Sequence, residues 1–276
     1  MKKTLNINQK LIDLSVPKVM GILNVTPDSF YAGSRVPKIE DSLRQAEAMI
    51  TAGAAFLDIG GYSTRPNADD IPESEELARV VPVISQITKY FPKAIVSIDT
   101  FRASVARQAV EAGAAVVNDI SGGNLDPKMF ETVATLGVPY VLMHSRGNPQ
   151  TMTTLNNYNN LTVDVIFELQ QKIAQLRAMS VKDIIIDPGF GFAKNVSQNF
   201  ELFKNLESFK ILDCPLLIGI SRKSMIWRTL NIKADDALNG TTALNILALN
   251  KGAQILRVHD VKEAVEVVKL WSVLDT

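Results

Sequence analysis

The stretch IVSIDTFRASVARQAVEAGAAVVNDI (Ile95–Ile120) contains one complete unit of the fold. A short apolar run, Ile95–Thr100, ends in Asp99 and Thr100. An amphipathic segment, Arg102–Glu111, stops at Gly113, and a second apolar run, Val116–Ile120, carries Asn118 and Asp119 at its end. Near-continuous apolar character over so few residues is what a parallel strand covered on both faces requires. A glycine just past a periodic segment is a helix C-terminal signal. The stretch therefore reads as strand, helix, strand.

The same unit recurs in both directions. Apolar runs fall at Val19–Val25, Phe56–Gly61, Tyr140–His144, Ile184–Pro188, Leu216–Ser221 and Ile255–Asp260. Helical patterns fall at Ile39–Ala52, Ser74–Phe91, Asp126–Leu136, Leu161–Met179, Asn199–Phe209, Asp235–Leu249 and Val261–Val273. Eight strands, each followed by a helix, is the count of an α/β (β/α)8 TIM barrel, expected here as a single domain over residues 1–276. A doubly wound parallel sheet is the alternative, because periodicity does not report closure. The recurrence A-G-A-A at Ala52–Ala55 and Ala112–Ala115, echoed by K-G-A at Lys251–Ala253, fits tight helix-to-strand turns. Residues 1–18 precede the first barrel strand and are expected to form an N-terminal extension or hairpin over the barrel bottom.

Composition narrows the function classes. The 276 residues carry 29 Lys plus Arg and 29 Asp plus Glu, a formal net charge of +0, and 46% are hydrophobic. Such a chain has ample apolar surface to bury and is not intrinsically disordered. The balanced charge argues against a duplex nucleic-acid partner, which normally demands a basic surplus. The lone cysteine, Cys214, cannot form an internal disulfide, and no Cys/His group has zinc spacing. Met1, Lys2 and Lys3 are not followed by an apolar segment, and no run approaches a membrane span. A cytoplasmic protein without a membrane partner is expected.

Nearly every run ends in polar residues. Asn24, Asp58, Asp99, Asn118, Asp119, His144, Arg146, Asp187, Ser221, Arg222, Lys223, Ser224, Arg257, His259 and Asp260 all sit at or just beyond strand ends, with Ser63, Thr64 and Arg65 following the second run. In a (β/α)8 barrel the strand C-termini converge on one mouth, which places the expected active site there. One half of this set is cationic: Arg65, Lys223, Arg257 and His259, with Asn24 as a neutral oxygen ligand. Guanidinium forks and a lysine suit phosphate oxygens, and a diphosphate normally brings Mg2+. The other half, Asp99, Asn118 and Asp187, offers acceptors to a flat, nitrogen-rich ring. Neither a GxGxxG nor a Walker loop is present: Gly189-Phe190-Gly191 lacks its third glycine, and Ser221–Ser224 lacks a glycine-rich lead.

These strand ends also carry a resemblance. MGILNVTPDSF (Met20–Phe30), DIGGYSTRP (Asp58–Pro66), SIDT (Ser97–Thr100), VNDISGG (Val117–Gly123), MHSRGNPQTM (Met143–Met152), DPGFGFAK (Asp187–Lys194), GISRKS (Gly219–Ser224) and RVHDV (Arg257–Val261) closely resemble, in order, the motifs of the dihydropteroate synthases. That folate-pathway family joins a pterin diphosphate to p-aminobenzoate. The resemblance spans about residues 19 to 262. It implies a pterin site of Asp99, Asn118, Met143, Asp187, Phe192, Lys223 and Arg257, with Asp99, Asp187, Lys223 and Arg257 as the catalytic group. It implies Mg2+ contacted by Asn24, and a diphosphate site of Asn24, Thr64, Arg65, Arg257 and His259. A p-aminobenzoate site would involve Phe30, Thr64, Arg65, Pro66, Lys223 and Ser224. A homodimer and sulfonamide inhibitors competing for the p-aminobenzoate site are implied as well. Four features depart from the family pattern: Tyr62, Tyr31-Ala32-Gly33-Ser34, Ser145 and Ala193.

Two other readings use the same barrel. A methyltransferase acting on a methylated folate has no need for the cluster of Arg65, Arg257 and His259. A non-catalytic member would have lost the motifs around Asn24 and Arg65, and both are present.

Overall fold

The computed structural model of the chain describes residues 3–25, 39–63, 70–148 and 150–274. It opens with an antiparallel hairpin, β1 (Thr4–Ile7) and β2 (Lys10–Asp13), in which Leu5 faces Ile12. The barrel strands follow: β3 (Lys18–Asn24), β4 (Phe56–Gly60), β5 (Ile95–Asp99), β6 (Val116–Asp119), β7 (Tyr140–Met143), β8 (Ile184–Asp187), β9 (Leu217–Ile218) and β10 (Ile255–Val258). The helices between and after them are α1 (Ile39–Ala52), α2 (Glu73–Tyr90), α3 (Ala103–Glu111), α4 (Met129–Leu136), α5 (Leu161–Ala178), α6 (Val196–Lys204), α7 (Ser224–Leu230), α8 (Leu238–Asn250) and α9 (Val261–Leu274).

All eight barrel strands are parallel, in the order β8-β7-β6-β5-β4-β3-β10-β9. A parallel bridge between Ile186 and Leu216, with Ile186 N donating to Pro215 O at 2.9 Å, joins β8 to the segment entering β9. The sheet thus closes on itself as the (β/α)8 reading requires, and the doubly wound alternative is overturned. Three helix ends share one turn. Ala54, Ala114 and Ala253 donate N–H to Met49, Ala109 and Ala248 at 2.9, 2.9 and 3.0 Å, across glycines with φ of +102°, +114° and +97°. This is the Schellman arrangement, and only glycine adopts such φ values cheaply. It explains the A-G-A-A recurrence.

The helical segment expected at Asn199–Phe209 begins earlier. Asn195 accepts from Gln198 N while the Gln198 side chain accepts from Asn195 N, a capping box that starts α6 at Val196. It stops at Lys204 and continues as a 3-10 turn over Leu206–Leu212. The segment expected at Asp235–Leu249 is preceded by the unexpected α7, which ends at Asn231 in the left-handed conformation, φ 54°. A 3-10 turn at Ala234–Asp236 then delays α8 to Leu238.

Along each strand, side chains alternate between the barrel centre and the helices. Outward residues such as Leu57, Ile59, Val96, Ile98, Val117, Leu142, Ile186 and Leu256 form the shell core against the helices. At the barrel bottom the inward residues Met20, Phe56, Val116, Val141, Ile185, Leu217 and Ile255 form a second apolar cluster with Leu5, Ile7 and Leu14. The N-terminal hairpin therefore plugs the barrel floor, and the polar end stays open. Leu5 is fully buried there, so Leu5→Ala is expected to cost about 2–4 kcal/mol in urea unfolding. An unchanged unfolding midpoint would show that the plug contributes nothing to stability.

Candidate active site

Register aligns the polar ends. Asn24 on β3 pairs with Gly60 on β4, Gly60 with Asp99 on β5, and Asp99 with Asn118 on β6. Met143 on β7 pairs with Asp187 on β8. Gly60 leaves a gap in this row: a Cβ there would sit 3.5 Å from Asp99 Cβ and 3.7 Å from Asn24 Oδ1, so the two side chains flank it. One layer deeper lies Asp58, fully buried, a strand-end polar residue to which the sequence alone assigns no role.

Arg257 joins the layers. Its Nε donates to Asp58 Oδ2 at 2.6 Å and its Nη2 donates to Asp99 Oδ2 at 2.5 Å. Asn118 Nδ2 donates to the same Asp58 oxygen at 2.8 Å. The other oxygen, Asp58 Oδ1, is buried and accepts no hydrogen bond. Burial works against the Arg257 cation, but Asp58 and Asp99 more than offset it and raise its pKa. Burial pushes Asp99 up to about 7 against the pull of Arg257, with Asp58 adding to the rise.

Lys223 enters from the loop before α7. Its Nζ donates to Phe190 O and lies 4.5 Å from the centroid of the Phe192 ring. Gly191 makes this possible, since a Cβ there would lie 3.2 Å from Lys223 Cδ and the residue has φ +79°. Burial draws the Lys223 pKa down to about 8, opposed chiefly by Asp187. Asp187 accepts from Gly189 N at 2.7 Å, and burial raises its pKa against the field of Lys223. At the rim, Ser221 Oγ accepts from His259 N at 3.2 Å and lies within hydrogen-bond distance, 3.0 Å, of His259 Nδ1. Ser224 opens α7 beside Lys223, half-buried.

Several strand-end residues are engaged away from the mouth. Asp119, of opposite parity to Asn118, accepts from Ser121 N, Gly123 N and Tyr140 Oη and fixes the β6–α4 loop. His144 is buried against Glu168 and Lys194, and Arg146 pairs with Glu168. Arg222 makes a bidentate pair with Asp260 at 2.9 and 2.7 Å, tying the Lys223 loop to the end of β10. A separate cleft of about 460 Å3 beside α5 includes Asn124, Arg146, Glu168 and Lys172 in its lining. Its Arg146 and Lys172 are already bonded to Glu168 and Asn124.

Phe30, Thr64, Arg65 and Pro66 lie outside the described residues. The residues flanking the second of these segments are well tied. Tyr62 Oη donates to Asp70 Oδ1 at 3.2 Å, its ring meets Phe101 edge-on at 5.0 Å, and Arg102 lies 5.4 Å from its centroid. Tyr62, a departure from the family pattern, thus holds the two stems of that loop together. Ala193, a second departure, sits at φ +48°, where a side chain is strained. Among the described residues no three His, Cys, Asp or Glu groups form a metal cage. No helix among them is long and apolar enough to cross a membrane.

The pterin binding enzyme family matches residues 20–259, which include every described residue of this mouth. A dihydropteroate synthase of Haemophilus influenzae is 42% identical over 266 residues, covering 96% of each chain. The chain belongs to the dihydropteroate synthase family. Among solved structures, the Yersinia pestis dihydropteroate synthase in a sulfonamide drug complex superposes with a TM-score of 0.91 at 39% identity, over 99% of this chain and 98% of that one. The Xanthomonas albilineans dihydropteroate synthase in complex with 7,8-dihydropteroate gives 0.88 at 33% identity, over 99% of both chains. This member of the family keeps the barrel of those enzymes at nearly full length.

Asp58→Ala removes the deeper carboxylate from Arg257 and Asn118. Leaving a buried cation half-paired is expected to destabilise the fold by about 3–5 kcal/mol, read as a lowered denaturant midpoint. A variant as stable as the parent would deny Asp58 this supporting role.

Proposed function

We propose that this dihydropteroate synthase-family enzyme joins 6-hydroxymethyl-7,8-dihydropterin diphosphate to p-aminobenzoate, releasing diphosphate and 7,8-dihydropteroate. The observation that carries this reading is the convergence of acceptors and cations on one mouth: Asp99, Asn118 and Asp187 stand together with Arg257 and Lys223. The carboxylates and the Asn118 amide suit the amino and ring N–H groups of a pterin, with Met143 and Phe192 against its faces. Arg257, His259 and Arg65 suit the diphosphate, and Thr64 belongs with that group. Phe30, Thr64, Arg65, Pro66, Lys223 and Ser224 shape the p-aminobenzoate site.

The chemistry is a displacement at the methylene carbon. The C–O bond breaks with its electron pair leaving on the diphosphate, where Arg257, His259 and Arg65 stabilise the developing charge. The cation left behind delocalises into the ring, facing Asp99 and Asp187. The arylamine nitrogen forms the new C–N bond and then releases its proton to solvent. An aniline nitrogen needs no strong base before it attacks, and the ammonium it becomes is acidic. No Ser-His-Asp arrangement is called for.

Asn24 brings an uncharged oxygen beside Asp99, and no multi-carboxylate cage accompanies it among the described residues. Such a set fits Mg2+ that draws most of its ligands from diphosphate and water. When bound with the substrate, the ion would supply charge neutralisation at the leaving group. A homodimer belongs to the same reading, with exposed Leu230, Leu247, Leu270 and Val273 available to be buried. Sulfonamides are read as competitors of p-aminobenzoate, on the strength of the Yersinia complex. The setting is read as cytoplasmic.

Diphosphate release is expected to require both p-aminobenzoate and Mg2+, and to be lost in Asp99→Ala and Lys223→Ala. Near-parental turnover in both variants would overturn the assignment of the pocket. The pH dependence follows from the two shifted groups. Activity needs Asp99 ionised and Lys223 protonated, so kcat/KM for the pterin substrate should fall below about pH 7 and again above about pH 8. Lys223→Arg, whose guanidinium stays protonated, should have a lower plateau without the alkaline limb. Persistence of that limb near pH 8 would assign it to another group.

A further inference from the structure

Lys194 and His144 form a deeply buried ionisable pair that the proposed chemistry leaves unused, 8% and 2% exposed. The Lys194 ammonium has three protons and three acceptors: His144 Nδ1, Gly189 O and Phe192 O, each at 3.0 Å. An acceptor at Nδ1 requires the neutral imidazole with its proton on Nε2, which is donated to Glu168 Oε2 at 3.0 Å. Burial, with Lys194 nearby, holds the His144 pKa down to about 4, in keeping with that tautomer. Arg146 clamps Glu168 from the far side and stacks 4.0 Å from the Tyr158 centroid, while Tyr158 Oη donates to Ala193 O at 2.9 Å.

All of these bonds converge on the loop after β8. Gly189 approaches β7 so closely that a Cβ would lie 1.9 Å from His144 O. Gly189 and Gly191 take φ of +72° and +79° at little cost, but Ala193 at φ +48° is strained and must be held there by its surroundings. The same loop supplies the two contacts that orient Lys223, Phe190 O and the Phe192 ring.

We infer that Lys194 is a positioning residue for pterin binding: by holding Gly189 O and Phe192 O against His144, it fixes the loop whose Phe190 carbonyl and Phe192 ring set the Lys223 ammonium in the mouth. Its three protons are all spent on the protein, so it acts through Lys223 and Phe192 rather than on the substrate. This inference rests on the proposed pterin role of Lys223.

The test is pterin diphosphate binding by calorimetry, with steady-state kinetics on the same folded protein. Lys194→Met, which keeps the aliphatic stem, is expected to raise the pterin Kd about tenfold or more, with a smaller rise in the p-aminobenzoate KM because Lys223 borders that site too. Combined with Phe192→Ala, its effect on the pterin Kd should be less than additive, because both variants release the same loop. A folded Lys194→Met enzyme with parental pterin affinity, or full additivity with Phe192→Ala, overturns the inference. Should Lys194→Met not fold, His144→Gln carries the same test, with a smaller shift in the same direction expected and no shift counting against it. Lys223→Ala separates the two levels. If it binds pterin normally, the reading of the pocket fails. If it loses pterin while Lys194→Met keeps it, only the positioning role fails.

Discussion

Arg257 reaches from β10 across the barrel mouth to carboxylates on two neighbouring strands, β4 and β5, and the polar end of the molecule is organised around that bridge. A guanidinium this deep is tolerable only when its fork is matched by fixed acceptors, because an unpaired buried charge costs several kcal/mol. Asp58 and Asp99 supply them, and Asn118 is drawn into the same network through the shared Asp58 oxygen. The residues read as ring acceptors are thus oriented before any ligand arrives. A site set in advance does not have to order its own side chains when it binds.

The closed parallel sheet makes that arrangement possible. In-register pairing sets Asn24, Gly60, Asp99 and Asn118 side by side, although they are far apart in the chain. Period-two alternation sorts each strand into an apolar inward residue at the floor and a polar one at the mouth, as with Phe56 and Asp58, Val116 and Asn118, Ile185 and Asp187, and Ile255 and Arg257. This is why the barrel and the gathering of polar strand ends at its mouth were legible from runs of five or six residues. The same parity was available for Asp58, which stands two residues from Phe56 in FLDIGG. It also separates Asn118 from Asp119, whose carboxylate turns away to secure a loop. A polar residue at a strand end is thus only half of the signal, and its parity with the floor residue is the other half.

What stayed illegible is set by contacts distant in sequence. His144 and Arg146 read as mouth residues because they follow an apolar run, but α5 supplies Glu168, and Glu168 draws both away. Lys194 sits at the end of a glycine-rich motif with nothing local to show that its acceptors lie just after β7 and within its own loop. The short α7 has only seven residues and no side-chain cap. Its position depends on the strand before it and on the bond from Arg222 N to Thr241 Oγ1 on α8. Tyr62 looked like a departure in a loop and turned out to be a packing residue between Phe101, Arg102 and Asp70.

The zero net charge of the chain has a local counterpart at the mouth. Asp58, Asp99 and Asp187 face Arg257 and Lys223, so carboxylates and cations largely offset one another there. An uncharged pterin ring entering such a pocket exchanges water for fixed acceptors without unbalancing a buried charge. The anionic tail of the proposed substrate is the part that needs an excess of positive groups, and His259 lies at the exposed rim where such a tail would leave the pocket. Exposed charges are screened at physiological ionic strength much more than buried ones. Recognition of the ring should therefore be insensitive to salt while recognition of the tail is not. The barrel divides the two tasks by depth, with the ion-paired network below and the anion site above.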